Sequence, residues 1–370
     1  MKKAMKYVLA LLVGLVLVAC GNQEGSEESS AAEEGTSSEG TNAVLLVNRT
    51  GDLSFNDSAV EGLTQAEEEY EDFSFTTVEY GDDNSVIETY FLDAADSPDN
   101  DILILPSQFV DTVAEYAADY PDKQFWLFGT TFPYEEGEEG EYDNVYTMTY
   151  RSNEAAYLGG YLGASNSETN TLGFVGGIDN NIINDFLVGY IQGAQAANPD
   201  VQVISSYVGN FADSARGKEL ALAMYNQDAT QVFNVAGGAG IGVLEAAVES
   251  EEYALGVDAD QALQFQAQGD EETASHVPTS VLTNIGNTLY RAVGLYRDGE
   301  LPVGELESLG LAEDAVGLAD NEYYQAAYSD ELKTEIEEVK QQIIDGEIEV
   351  QSALDLTLDE VSQLREEAAQ

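Results

Sequence analysis

The sequence predicts an α/β protein of two lobes, each a doubly wound parallel sheet with helices on both faces. Three observations predict it. From Ala43 onward, apolar strand-like runs alternate with helix-like segments, the pattern of parallel sheets linked by crossover helices. The alternation runs twice, before and after about residue 152. A chain of 370 residues also exceeds what one hydrophobic core usually serves.

The expected strands are Ala43–Val47, Phe75–Val78, Ile102–Leu105, Gln124–Phe128, Val145–Thr149, Thr171–Val175, Val201–Tyr207, Gln231–Val235 and Ala254–Val257. Between them, Ile183, Phe186, Leu187, Tyr190, Ile191 and Ala194 share one face at helical spacing. Glu135 to Asp143 is acidic and contains glycine, and reads as a surface loop or hairpin. Asp330–Asp345 reads as an amphipathic helix stopped by Gly346, and a second helix starts near Leu358. Thr149–Ser152 and Thr279–Thr283 are the expected hinge strands between the lobes.

The first twenty-one residues differ in kind. Lys2, Lys3 and Lys6 precede an apolar run from Tyr7 to Ala19, and Ala19 stands before Cys20. A helix of that run reaches only about 20 Å, short of a bilayer core. Basic start, short apolar run and small residue before cysteine together read as a lipoprotein signal peptide. Cys20 would then carry lipid, anchoring the chain to the membrane on its outer face. Gly21 to Asn42 is rich in Gly, Ser and Glu and reads as a tether. The implied domains are a signal over 1–19, a lipidated linker over 20–42, a first lobe over 43–152 completed by part of 281–325, and a second over 153–280 completed by part of 326–370.

Charge narrows function. The chain has 13 Lys and Arg against 70 Asp and Glu, a net charge of −57. Nucleic-acid binding is disfavoured, because phosphate contacts need basic side chains. Free anionic metabolites are disfavoured for the same reason. The surface repels itself at low ionic strength and is screened in brine, so the composition reads as adaptation to high salt. A single acidic docking patch is the competing reading, and the spread of acids along the whole chain argues against it. Catalytic groups are scarce. His276 is the one histidine and Cys20 the one cysteine, so neither a Cys/His metal site nor a Cys–His pair can form. An enzyme is not expected, and nothing calls for a cofactor.

Binding signals lie at strand ends. Gly51-Asp52-Leu53-Ser54-Phe55-Asn56-Asp57 follows the first strand and precedes a helix expected near Ser58. In an open α/β sheet that position faces the ligand crevice. Capping by Asp57 or Ser58 would explain part of the loop, leaving Asp52, Phe55 and Asn56 as candidates. Ala236-Gly237-Gly238-Ala239-Gly240 makes another strand-to-helix turn, either a bare tight turn or a place where backbone approaches a ligand. Asp258 ends the next strand near the same crevice.

These segments in order resemble the basic-membrane-protein family of extracytoplasmic solute-binding lipoproteins, the nucleoside-binding components of ABC transporters. The matching pieces are the Gly51–Asp57 loop, Glu154-Ala155-Ala156-Tyr157-Leu158-Gly159-Gly160, Gly173–Gly177, Phe186-x-x-Gly189-Tyr190-x-x-Gly193, Tyr207-x-Gly209-x-Phe211-x-Asp213, Gly217-Lys218, the Gly237–Gly242 turn and Gly256-Val257-Asp258-x-Asp260-Gln261. They span Ala43 to Ile348. The resemblance implies a type I periplasmic-binding-protein fold with a ligand clamped at the hinge, delivered to an ABC permease and its ATPase. It implies that Phe55 and Phe186 stack on a nucleobase, a purine being favoured. Asp52 and Asn56 would read the base edge, and Gly238 and Asp258 would hold the ribose hydroxyls. Three positions depart from the family pattern. Gly129 stands where Asp is usual, Thr283 where Lys is usual, and Leu105-Pro106-Ser107-Gln108 lacks the usual glycine turn. The sugar side is therefore altered. Riboflavin, a sugar or another heterocycle remains an alternative ligand, and a ligand-sensing surface lipoprotein an alternative role.

Overall fold

The computed structural model describes residues 40–134 and 142–370. The signal peptide, Cys20, nearly all of the tether and residues 135–141 of the acidic loop lie outside the described residues.

The first lobe runs β1 (Thr41–Val47), α1 (Phe55–Glu69), β2 (Phe73–Glu79), α2 (Ile87–Asp96), β3 (Ile102–Pro106), α3 (Val110–Tyr116), β4 (Gln124–Phe128) and β5 (Val145–Tyr150). The second runs α4 (Ser152–Asn166), β6 (Thr171–Gly176), α5 (Asn181–Ala197), β7 (Gln202–Tyr207), α6 (Ser214–Tyr225), β8 (Gln231–Val235), α7 (Ile241–Ser250), β9 (Tyr253–Asp258), α8 (Gln261–Ala267), α9 (Glu271–His276) and β10 (Ser280–Thr283). The chain then returns with α10 (Ile285–Asp298) and β11 (Leu306–Leu309), crosses again to β12 (Val316–Leu318), and ends with α11 (Glu322–Ala327), α12 (Asp330–Ile344) and α13 (Leu358–Ala368).

The strand orders are β11-β5-β4-β3-β1-β2 and β12-β10-β9-β8-β6-β7. Apart from the short edge strands β11 and β12, each sheet repeats one doubly wound order. Pairing is parallel except between β10 and β12. Strands β3, β5, β6 and β8 are buried along their whole length, as strands covered on both faces must be. All nine expected strands form, which makes the architecture the two-lobed α/β one expected.

Several boundaries differ from the sequence reading. β1 starts inside the stretch read as linker, because Thr41 N–H donates to Asp72 O at 2.7 Å and Thr41 pairs with Phe73. Of the stretch 281–325, part of which was expected to complete the first lobe, residues 281–283 belong to β10 of the second sheet, where Val281 pairs with Val257. The chain leaves the second sheet after Thr283 and crosses at Asn284 to α10. α10 packs on α1, β11 joins the first sheet beside β5, and β12 returns the chain to the second.

Two glycine motifs serve packing. Added side-chain carbons at Gly160, Gly189 and Gly193 would strike backbone carbonyls of Tyr190, Asn153 and Tyr157. Their absence lets α4 and α5 touch backbone to backbone, which fixes α5 and the Phe186 it carries. α12 lies against α4, and α13 against α5 and β7. Thr357 caps α13 in a reciprocal bond pair with Glu360.

Candidate functional site

The switch point of the first sheet lies between β1 and β3, and that of the second between β6 and β8. In such sheets the crevice outside the strand carboxyl ends is where ligands bind. Here both crevices open into one cavity of about 590 Å³. Residues following β1, β3, β4 and β5 form one wall, and residues following β6, β8, β9 and β10 the other. Asp52, Phe55, Asn56, Phe186, Gly238 and Asp258 all line it.

The loop after β1 is built by its own carboxylates. Asp52 accepts backbone N–H bonds from Ser54 at 3.1 Å, Asn56 at 3.0 Å and Asp57 at 3.2 Å. It therefore caps α1, which begins at Phe55 rather than near Ser58. Asp57 does not cap the helix. It accepts from Gly51 N at 2.7 Å and Leu53 N at 2.9 Å and folds the loop back. Asn56 donates its amide to Asn48 Oδ1 at 2.9 Å and Arg49 O at 2.8 Å. Burial pushes the Asp52 carboxyl up, against the backbone bonds that hold it down.

The aromatic walls come from both lobes. Phe55 stacks on Phe128 with ring centres 5.0 Å apart. It lies over Gly129, where a Cβ would sit 2.7 Å from the ring. Gly129 itself has φ +66°, so strand end and phenyl ring both suit glycine there. Phe186 projects from α5, braced edge-on by Phe233 at 6.1 Å. Phe211 adds a third ring to the wall. It was part of a quoted motif, but nothing in its spacing marked it as a wall residue.

Asp258 holds a left-handed backbone, φ +62°, at the end of β9. Its Oδ2 accepts from Ser54 Oγ at 2.5 Å, a bond between the lobes. Burial pushes its carboxyl up to about 6, with nearby Asp52 adding to the rise and the Ser54 and Thr283 hydroxyls opposing it. A second tie sits beside it. Fully buried Gln261 donates Nε2 to Leu53 O at 3.1 Å and accepts from Val257 N at 3.1 Å. Leu53, at φ +50°, is partly buried and packs its side chain against the second lobe's core.

Asp185 also reaches the cavity. It accepts from Asn153 N at 3.0 Å, Ser352 Oγ at 2.6 Å and Ala353 N at 2.9 Å, strapping the 352–354 segment to α4 and α5. Burial outweighs those bonds and pushes it up to about 6. Among the described lining residues Arg49 is the one base, and its guanidinium is bound to Asp82. Sequence spacing gave no sign of Asn48 or Asp185, neighbours of quoted motifs, nor of Tyr150 and Leu354, which the fold brings in from elsewhere in the chain. His276 is half-buried at the end of α9, its Nδ1 2.9 Å from Glu272 O, and lines no part of this cavity.

Among the described residues, no helix is long and apolar enough to cross a membrane. Residues 41–353 match the family model of Bmp, the PnrA-like ABC transporter substrate-binding proteins. Basic membrane protein A of Borreliella burgdorferi is 30% identical over 93% of this chain and 95% of its own. The protein of Lactococcus lactis subsp. cremoris named ABC transporter nucleoside-binding protein BmpA is 29% identical over 95% of this chain and 100% of its own. Among solved structures, an ABC transporter solute-binding protein from Aeropyrum pernix superposes with TM-score 0.75 and 26% identity, over 89% of this chain and 99% of the other. The chain belongs to the Bmp family of ABC transporter substrate-binding proteins.

Proposed function

We propose that this substrate-binding protein takes a nucleoside, a purine nucleoside first of all, between its lobes and presents it to an ABC permease and ATPase from a lipid anchor on Cys20. The observation that carries the reading is the cavity's composition. Phenyl rings from both lobes, Phe55 and Phe186, line the same space as the Asp258 carboxylate. Rings suit a flat heterocycle, each stacked base being worth about 1–3 kcal/mol in nucleic-acid sites. A buried carboxylate suits hydroxyl donors. The name of the Lactococcus lactis relative points the same way. Asp52, Asn56 and Gly238 complete the proposed contact set.

Charge selects the nucleoside over its phosphates. Asp52, Asp82, Asp185 and Asp258 line the cavity against Arg49 alone, already bound to Asp82. A phosphate entering there meets carboxylates and no free base. The role itself needs no chemistry. Ligand binding stabilises the closed lobes by its differential affinity for that state.

The test is a thermal-shift screen of the purified protein in about 2 M NaCl against purine and pyrimidine nucleosides, free bases, nucleoside monophosphates, riboflavin and sugars. Ligand at a hundredfold over its dissociation constant adds about 2.7 kcal/mol. Stabilisation by guanosine, inosine or adenosine, and not by bases or monophosphates, is the expected result. Stabilisation by riboflavin or sugars alone would replace the ligand and keep the receptor.

A further inference from the structure

Gln261 opens α8, is fully buried, and lies behind the cavity wall without lining it. Its side-chain amide meets three elements. Nε2 donates to Leu53 O of the first lobe at 3.1 Å. Oε1 accepts from Val257 N at 3.1 Å and from Asn234 Nδ2 at 3.4 Å, both in the second lobe. A backbone carbonyl only accepts and a backbone N–H only donates, so Leu53 and Val257 fix which end of the amide is which. Each partner supports part of the cavity wall. Leu53 lies between Asp52 and the start of α1 at Phe55. Val257 precedes Asp258. Asn234 lies beneath the glycine turn, where a Cβ on Gly240 would fall 1.9 Å from Asn234 Oδ1. Leu53 and Asp258 also hold left-handed backbone, at φ +50° and +62°. Strain of that kind persists only where the surroundings over-determine it. The Gln261 amide bonds the carbonyl of the first and the residue before the second.

We propose that Gln261 is a positioning residue that locks the Asp52–Phe55 loop of the first lobe onto the second lobe, and so sets how long the receptor keeps its ligand. The role does not depend on which ligand the cavity takes. Of the amide's three bonds, only the one to Leu53 crosses between lobes. Parting the lobes breaks that bond and frees the loop, while the two bonds within the second lobe survive. The bond therefore favours the closed arrangement by its full difference between the two states. Ligand leaves only when the lobes part, so losing the bond speeds release more than it slows entry. The Ser54–Asp258 bond also ties the lobes, but it uses a carboxylate proposed to hold the ligand. Gln261 separates closure from ligand contact, because it meets only the supports of the wall.

The experiment compares wild type, Gln261→Met and a matched control, Gln231→Met. Gln231 is also buried, and its Nε2 donates to Tyr190 Oη at 3.1 Å within the second lobe. Guanosine association and dissociation rates are measured by surface plasmon resonance, and the radius of gyration without ligand by small-angle X-ray scattering. Gln261→Met is expected to release guanosine about tenfold faster, with association changed by less than about threefold. Its radius of gyration without ligand should exceed that of wild type. Gln231→Met should match wild type in both readouts, whatever it loses in melting temperature. Gln261→Asn, one carbon too short to span the lobes, takes the place of the methionine variant if that one does not melt cooperatively. Wild-type release from the Gln261 variant, equal acceleration in Gln231→Met, or equal radii in all three proteins overturns the proposal. If wild type does not bind guanosine, the nucleoside reading fails, and the comparison of radii decides Gln261 by itself.

Discussion

Replacing Asp258 by asparagine should stabilise the ligand-free protein, and more so as pH rises. The carboxyl goes from its ordinary 3.8 to about 6 in the folded state, chiefly through burial. The folded form therefore binds this proton more tightly than the unfolded form. Its contribution to stability is present in full below the unfolded value and is lost as pH rises through about 6. Each unit is worth about 1.4 kcal/mol, so ionised Asp258 costs about 3 kcal/mol above pH 7 relative to its protonated form. Asparagine keeps an oxygen for the Ser54 hydroxyl and cannot ionise. Any fixed difference in packing or bonding shifts the variant equally at every pH, so the diagnostic is the slope. A sequence pI near 4.1 makes pH 5 to 8.5 the workable window, within which about half of the 3 kcal/mol develops. The assay is urea denaturation of wild type and Asp258→Asn at constant high salt. The gap between them should widen by about 1.4 kcal/mol across that window. Asp185, with a similar rise, is common to both proteins and cancels. A gap that is constant with pH, or that narrows, would refute the claim that folding forces charge into an unfavourable place.

Three other outcomes follow from the same geometry. Phe186→Leu keeps most of the buried volume and removes the ring, so nucleoside affinity should fall about tenfold, in line with one stacked base; calorimetry showing wild-type affinity would remove Phe186 from the site. Gly129→Ala forces a Cβ to 2.7 Å from Phe55 at φ +66°, and should cost about 1–3 kcal/mol by urea denaturation while weakening binding through the displaced ring; unchanged stability would show that the ring does not sit there. With a net charge of −57, the melting temperature should climb steeply between 0.1 and about 1 M NaCl, as the Debye length falls from about 10 to 3 Å, and then flatten; a flat curve would remove the self-repulsion argument.

Much of the fold was legible because its signals are local. Buried runs such as Ile102–Leu105 and Gln231–Val235 can only be central strands, and their alternation with helices leaves few topologies. β11 and β12 were not legible. Leu306–Leu309 and Val316–Leu318 are short, and become strands because the returning chain passes a free sheet edge. The start of α1 was misread because Asp52, outside the helix, holds its start: the carboxylate takes the amides of Ser54 before the helix and of Asn56 and Asp57 in its first turn. The site divides the same way. Asp52, Phe55, Asn56, Gly238 and Asp258 sit at strand ends, where ligands are expected. Leu354 reaches the cavity only because the chain's tail is strapped down by Asp185.

The scarcity of basic residues outside the cavity bears on what enters it. Arg49, Arg151, Arg216, Lys218, Arg291, Arg297, Lys333 and Arg365 are each ion-paired. Most of these pairs are exposed, so each adds little stability, yet together they leave few positive charges uncommitted on a strongly negative body. Among the described lining residues, the one cation is already committed to Asp82. Under the proposed reading, recognition runs through groups that work uncharged or by accepting protons: phenyl faces, backbone at Gly238, hydroxyls, and carboxylates kept buried at a cost to folding. That combination suits a neutral ligand rich in donors. It also separates the two terms of affinity by their response to salt. Binding that used a fixed cation would weaken as salt screened it, whereas stacking and buried hydrogen bonds persist. Nucleoside affinity measured at 0.5 and 3 M NaCl should therefore agree within a few-fold, once stability of the free protein is held by comparing only conditions in which it is fully folded. A tenfold fall in affinity over that range would mean that a charge on the protein, most simply Arg49 freed from Asp82, carries part of the binding after all.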